Sequence, residues 1–214
     1  MKTAFVALAC LLSFGAFAQD NKYNAAAELR GNGQIIRETR TLTAFDGVET
    51  KQFPAAITIE ASSTESSVDI RLDDNLRPFL RIDNGNGNGT LTLSFEDPQR
   101  KPFWISKATI SVLIKTPRLR RLKHGSNSDV LVTNLNGPSF NLVNEANGNV
   151  TLRGKIDNFN VVSAANGNVR AEELTAQNAN VVTQANATLR INAQALSEIR
   201  SGHGQVINVA KRAK

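Results

Sequence analysis

The second half of this 214-residue chain repeats itself about every 20 residues. The segment Phe140-Asn141-Leu142-Val143-Asn144-Glu145-Ala146-Asn147-Gly148-Asn149-Val150-Thr151-Leu152 recurs from Phe159 to Ala171 and again from Ala179 to Ile191. Anchored on the central asparagine, the spacings are 166 − 147 = 19 and 186 − 166 = 20. A weaker copy around Asn127 lies 20 residues before Asn147, and Gly202-His203-Gly204-Gln205-Val206 closes a series of about five. Self-similarity at such a period marks an architecture of stacked units, none of which can bury its apolar face alone.

Each unit holds two short runs, such as Phe140/Leu142 and Val150/Leu152, in which every second residue is apolar. That is the alternation of a strand with one face inward. The Asn-Gly pair between the runs is a turn signal, because both residue types tolerate positive φ. Stacking equivalent strands in parallel, about 4.8 Å apart, buries such a unit. The expected fold is therefore all-β: a parallel β-helix, or solenoid, of about five coils, with Val130, Val150, Val169, Leu189 and Val206 as one inward column. Asn127, Asn147, Asn166 and Asn186 then fall in register as a structural turn ladder whose amides bond from coil to coil. Composition agrees: the chain holds 23 asparagines, and Asn competes with a helix for backbone hydrogen bonds.

Residues 42–116 are strand-like without a clean period and are expected to form an irregular β region packed onto the coils of 117–207. The alternation predicts strands at 35–42, 55–60, 67–72, 79–82, 90–95 and 108–115. Asn84-Gly85-Asn86-Gly87-Asn88-Gly89 reads as a hairpin loop; its glycine spacing and the strand that follows do not fit a phosphate-binding fingerprint. Pro98, Pro102 and Pro117 mark a loop around Phe103-Trp104.

At the N-terminus, Lys2, the apolar run 3–17 and Ala16-Phe17-Ala18 before Gln19 fit a secretory signal peptide over 1–18. A lead and first strand then occupy 19–41, and 208–214 is a basic tail. Cys10 follows Leu8-Ala9 and offers an acylated lipoprotein as the lesser alternative, with a short apolar run before it and the better small-residue site eight residues later. The mature chain would lack cysteine and rely on its core rather than on disulfides. No other apolar run reaches the ~18–20 residues of a transmembrane helix. The expected location is outside the cytoplasm: periplasm, outer-membrane surface or medium.

An ordered set of short motifs carries a family resemblance: Ala44-Phe45-Asp46-Gly47-Val48, Ile57-Thr58-Ile59, Val68-Asp69-Ile70, Asp74-Asn75-Leu76, Leu91-Thr92-Leu93, Ile110-Ser111-Val112-Leu113-Ile114, Thr116-Pro117-Arg118-Leu119 and the Asn-Gly-Asn-Val repeats. Over roughly 42–207 the chain resembles the secreted domain family called putative auto-transporter adhesin, head GIN domain, common in Bacteroidetes. The resemblance implies a β-helix-like domain outside the cytoplasm and brings no established catalytic residues. Where the family often turns on Gly-Ser-Gly, this chain uses Asn-Gly-Asn. No segment of it is expected to build an outer-membrane barrel.

An enzyme acting on acidic polysaccharides would need convergent carboxylates or an acid cluster for calcium. The outward column Asp129, Asn149, Asn168, Thr188 holds one acid, and Glu145 is followed by Ala164 and Gln184. Glu172 and Glu173 are adjacent, so they point to opposite faces, and His124 and His203 lie about four coils apart, roughly 15–20 Å. No catalytic set, metal site or cofactor is expected. The remaining lead is basic: Arg118, Arg120, Arg121 and Lys123 cluster beside His124, and Arg170 and Arg190 are equivalent positions on adjacent coils. Such residues suit an anionic glycan or another envelope component; nucleic acid is a poor fit, since aromatics are only 6%. The expected function is a non-catalytic, adhesin-like surface module, with a polysaccharide-active enzyme or a purely structural envelope protein as the alternatives.

Overall fold

The computed structural model describes residues 26–85 and 89–210. The expected signal peptide, nearly all of the lead, the middle of the 84–89 loop and the end of the basic tail lie outside the described residues. The fold is all-β. Its first strands are β1 (Ala27–Arg30), β2 (Ile35–Thr41), β3 (Gly47–Lys51), β4 (Ile57–Ala61) and β5 (Ser67–Asp73). A 3-10 helix, Asp74–Phe79, leads into β6 (Leu80–Asp83), β7 (Thr90–Phe95), β8 (Phe103–Ser106), β9 (Ile110–Thr116) and β10 (Arg121–Gly125). The repeat region supplies β11 (Val130–Asn144), β12 (Val150–Ser163), β13 (Val169–Thr183), β14 (Thr188–Arg200) and β15 (Gln205–Asn208).

Thirteen of these strands form one curled sheet. From β10 to β15 successive strands pair in parallel, each with the next. Val130, Val150, Val169, Leu189 and Val206 are register partners in that order. A second column runs Leu122, Leu142, Val161, Val181, and all four are buried. Burying a valine or leucine contributes about 1.5–3 kcal/mol, so these columns outweigh any polar contact on the surface. Beside them Phe140 and Phe159 stack at 6.2 Å between ring centroids.

The region expected to be irregular shares these ladders. Strand β3 pairs in parallel with both β10 and β7, which extends the second column through Val48 to Leu91. Strand β4 pairs in parallel with β11 and β9, which extends the first through Ile57 to Val112. Chain order is therefore not spatial order: 47–61 lies between a layer built from 90–95 and 110–116 and the layer that starts at Arg121. Only beyond this point does pairing turn antiparallel, where β5 bridges β2 and β9, and β6 pairs β7. The two extra layers leave no 20-residue period in the sequence because the insertions around 62–89 and 96–109 break their spacing.

Two further expectations are corrected. Asn147, Gly148, Asn166 and Gly167 do not take positive φ. The left-handed glycines sit at the other corner, Gly137 at φ 139° and Gly154 at φ 140°, beside the register shift between Val132 and Leu135. The Phe103-Trp104 segment is not a loop: β8 pairs in parallel with β1, with Trp104 opposite Glu28. Pro102 precedes the strand without interrupting it. At the far end, the second column continues from Val181 to Glu198, and Arg200 follows Thr183. Glu198 and Arg200 form an ion pair there, so charge replaces the apolar column where stacking stops.

Candidate functional site

One inward column is polar. Thr50, His124, Asn144, Ser163 and Thr183 are successive register partners, all buried. From His124 onward each stands just before a turn whose backbone it holds, while Thr50 bonds the His124 ring. The Asn144 amide donates to the Gly148 and Gly167 carbonyls at 3.4 and 3.1 Å, Ser163 to Ala165 and Thr183 to Ala185. The signal was a polar residue after each Val-Val or Leu-Val pair, hidden because strand alternation was scored on apolar residues alone.

His124, first grouped with the basic cluster, belongs to this column. Its Nε2 lies 2.8 Å from the Ser128 carbonyl, which can only accept, so Nε2 carries the proton and Nδ1 accepts from the Thr50 hydroxyl at 2.8 Å. Burial pushes its pKa below 6.5, against smaller upward pulls from the Ser128 carbonyl and Asp129. The unfolded chain then binds the proton first, so stability is complete above about pH 6.5 and is lost as pH falls from there through the folded-state pKa. Wild type should lose melting temperature faster between pH 7 and 5 than His124→Gln; equal slopes in thermal melts would contradict the neutral, buried imidazole.

Outside, amides run as ladders. Asn147 donates its backbone N–H to Asn127 Oδ1, Asn166 to Asn147 and Asn186 to Asn166, at 3.2–3.4 Å. A tighter ladder starts at Asp129, whose Oδ1 accepts both the backbone and side-chain N–H of Asn149, at 2.9 and 3.0 Å. Asn149 accepts from Asn168 in the same way, and Asn168 accepts from the Thr188 backbone. Asn141, Asn160 and Asn180 form a third. These bonds use the amides internally. Asn149→Ala removes its bond to Asp129 and the two it accepts from Asn168, and should cost about 1–3 kcal/mol, read as a lower urea midpoint at unchanged m-value.

The basic residues do not converge on one site. Arg121 is 3.0 Å and Arg120 3.7 Å from the Asp46 carboxylate. Lys123 lies between Glu49 at 3.5 Å and Glu145 at 3.3 Å, and the Glu145 hydrogen bond raises its pKa. Arg170 and Arg190 are register partners, but Glu172 pairs with Arg190, which relieves the like-charge contact without an external anion. Arg118 and Arg170 have no ion pair among the described residues. Arg118 lines a groove of about 630 Å3 together with Asp46 and Arg121.

The larger concavity was not read from the sequence. A groove of about 960 Å3 is lined by Phe95, Asp97, Arg100, Lys101, Trp104 and Lys107 among others. Its floor is braced by aromatic contacts: Phe95 meets Phe53 edge-on at 6.0 Å and Phe103 at 6.4 Å, and Phe103 meets Phe79 at 5.3 Å. Along β8 side chains alternate, so Phe103 packs on that cluster while Trp104 stays 51% exposed.

Two carboxyls, which line neither groove, are held charged by arginines. Partial burial pushes Glu38 up, but hydrogen bonds from Arg40 and Arg77 leave it below its ordinary value; Arg37 lowers Asp69. A general acid needs the opposite shift. No cluster of His, Cys, Asp and Glu suited to a metal occurs among the described residues. No helix among them is long and apolar enough to cross a membrane.

Comparison with known proteins gave one family and several folds. The family described as putative auto-transporter adhesin, head GIN domain matches residues 44–210. A putative adhesin from Bacteroides fragilis superposes with TM-score 0.63 at 14% identity, covering 85% of this chain and 100% of that one. A putative lipid binding protein from Parabacteroides distasonis gives TM-score 0.49 at 13% identity, covering 85% and 99%. A putative adhesin from Parabacteroides merdae gives 0.43 at 17%, covering 86% and 100%. No curated protein matches.

Proposed function

The chain belongs to the putative auto-transporter adhesin, head GIN domain family, and from that premise we propose that it is a non-catalytic, adhesin-like binding module of the cell envelope. In this reading residues 117–207 form a parallel β-helix of about five coils, and the layers from 47–61 and 90–116 close its other end. The module is exported by its leader and works at the surface or in the periplasm, holding an anionic glycan.

The observation that carries the reading is the fate of the charged side chains. Along the repeats most are spent on neighbours, Arg153 on Glu173, Arg190 on Glu172 and Lys123 on Glu49 and Glu145, while Arg170 and Lys155 have no ion pair among the described residues. What remains is a rigid scaffold with a groove at one end, the form of a binder rather than of a site that moves protons. Incubation with acidic and neutral polysaccharides, followed for both retention and new reducing ends or unsaturated products, tests it. Retention without product is expected. Catalytic turnover of any of them would overturn the reading.

A further inference from the structure

We propose that the Trp104 groove is the ligand site and takes an acidic sugar unit, a pyranose ring lying on the indole with its carboxylate or sulfate held by Arg100, Lys101 and Lys107. This rests on the binding-module reading and names its site.

Three observations carry it. First, the half-exposed indole stands inside a groove of a size that encloses a sugar unit. Its aromatic floor fixes β8, so the indole is held ready rather than ordered on binding. Second, charge complementarity selects the ligand. Arg100, Lys101 and Lys107 line the groove and have no ion pair among the described residues. Glu96 and Asp97 line it as well, so three cations face two carboxylates whose oxygens already accept hydrogen bonds from the protein, which leaves one net positive charge. Asp97 accepts the backbone N–H groups of Gln99 at 2.6 Å and Lys101 at 3.3 Å, Glu96 accepts from Ser94 at 2.7 Å, and Glu28 accepts from the Ser106 hydroxyl. Third, Arg100 and Lys107 hold left-handed backbone, at φ 58° and 46°. Glycine or asparagine would sit there with less strain, and this chain uses asparagine freely elsewhere. Cations at two strained positions flanking β8 are what a site for an anion would retain.

Trp104 is the only tryptophan in the chain, so its fluorescence reports on the groove alone. The full chain is titrated with oligogalacturonate, heparin oligosaccharide, dextran oligosaccharide and phosphatidylglycerol vesicles, and affinities are confirmed by calorimetry. Saturable change is expected with oligogalacturonate or heparin, weakening as salt rises, and none with dextran. Oligogalacturonate carries carboxylates alone and heparin carries carboxylates and sulfates, so binding of the first assigns the carboxylate and binding of heparin alone the sulfate. Trp104→Ala should weaken binding by about tenfold or more, the loss of an anchor residue, and Trp104→Phe should recover part of it. Arg100→Asn with Lys101→Gln and Lys107→Asn keeps the backbone easy and should weaken binding similarly while flattening its salt dependence. Far-UV circular dichroism of each variant should match wild type.

Several results would overturn the proposal. They are no binding to either acidic oligosaccharide, equal binding to dextran, binding to the vesicles alone, or full affinity in Trp104→Ala. Loss on Arg118→Ala with Arg170→Ala and not on Trp104→Ala would move the site and leave the binding module standing. Cleavage of an oligosaccharide would remove both.

Discussion

Val169→Asp is expected to collapse the repeat region. Val169 is fully buried, with Val150 on one side and Leu189 on the other in the inward column. Nothing polar on its register neighbours can pair with a carboxylate, which must be buried unpaired or take up a proton, and both are costly. The loss should reach about 4 kcal/mol or more, a large share of the ~5–15 kcal/mol of a whole domain. At roughly 2–4 °C per kcal/mol for a chain of this size, melting should drop by about 10 °C or lose its cooperativity. The matched control is next door: Arg170 is exposed, and Arg170→Asp should stay within about 0.5 kcal/mol of wild type. If both variants melt like wild type, the inward column is wrongly assigned.

Gly148→Ala should be nearly as damaging for a steric reason. A Cβ at Gly148 would stand 2.0 Å from the Ser128 carbonyl oxygen, 2.6 Å from that of Ser126 and 2.5 Å from His124 Nε2. Two of the three obstacles are backbone, which cannot swing aside. The methyl therefore drives apart adjacent turns and breaks the His124 hydrogen bond. Overpacking of this kind costs about 1–3 kcal/mol, and the lost bond adds about 1. The chain supplies its own comparison, since the equivalent position one repeat beyond Gly167 is Ala187, which is accommodated and buried. Gly148→Ala should thus fall sharply in thermal melts, while Ala187→Gly costs less than about 1.5 kcal/mol. Equal, small effects would show that the turns are not in contact.

The difference between Gly148 and Ala187 also shows where sequence reading stops. Period, strand alternation and the columns from Val130 to Val206 were legible, because parallel stacking forces identical chemistry at identical positions. The reason for the turn glycines was not. Asn-Gly suggested positive φ, whereas Gly148 and Gly167 serve close approach between successive repeats, and the left-handed residues of the repeat region are Asn134, Gly137 and Gly154. Distance between coils is a tertiary fact that no local signal carries. The same holds for β3 and β4: Val48 and Ile57 match the repeat in character, but their register neighbours Leu91, Leu122, Val112 and Val130 come from distant parts of the sequence.

For the candidate site the sequence pointed at charge and the structure at partners. Arg118, Arg120, Arg121 and Lys123 looked like one patch because they are close in the chain. Asp46, Glu49 and Glu145 come from elsewhere in sequence and draw three of them away. Trp104 carried no such signal. Three prolines nearby suggested a loop, and only the pairing of β8 with β1 shows that alternation turns Phe103 inward and leaves Trp104 in the groove.

Amide chemical-shift mapping of the isotope-labelled chain, titrated with oligogalacturonate and heparin oligosaccharide, tests the account as a whole most directly. It predicts saturable shifts confined to Gln52–Ala55 and 95–108 around the groove, with the repeat coils unchanged beyond it. Shifts centred on Arg118–Lys123 or along Arg170 and Arg190, or none with either ligand at millimolar concentration, would contradict it.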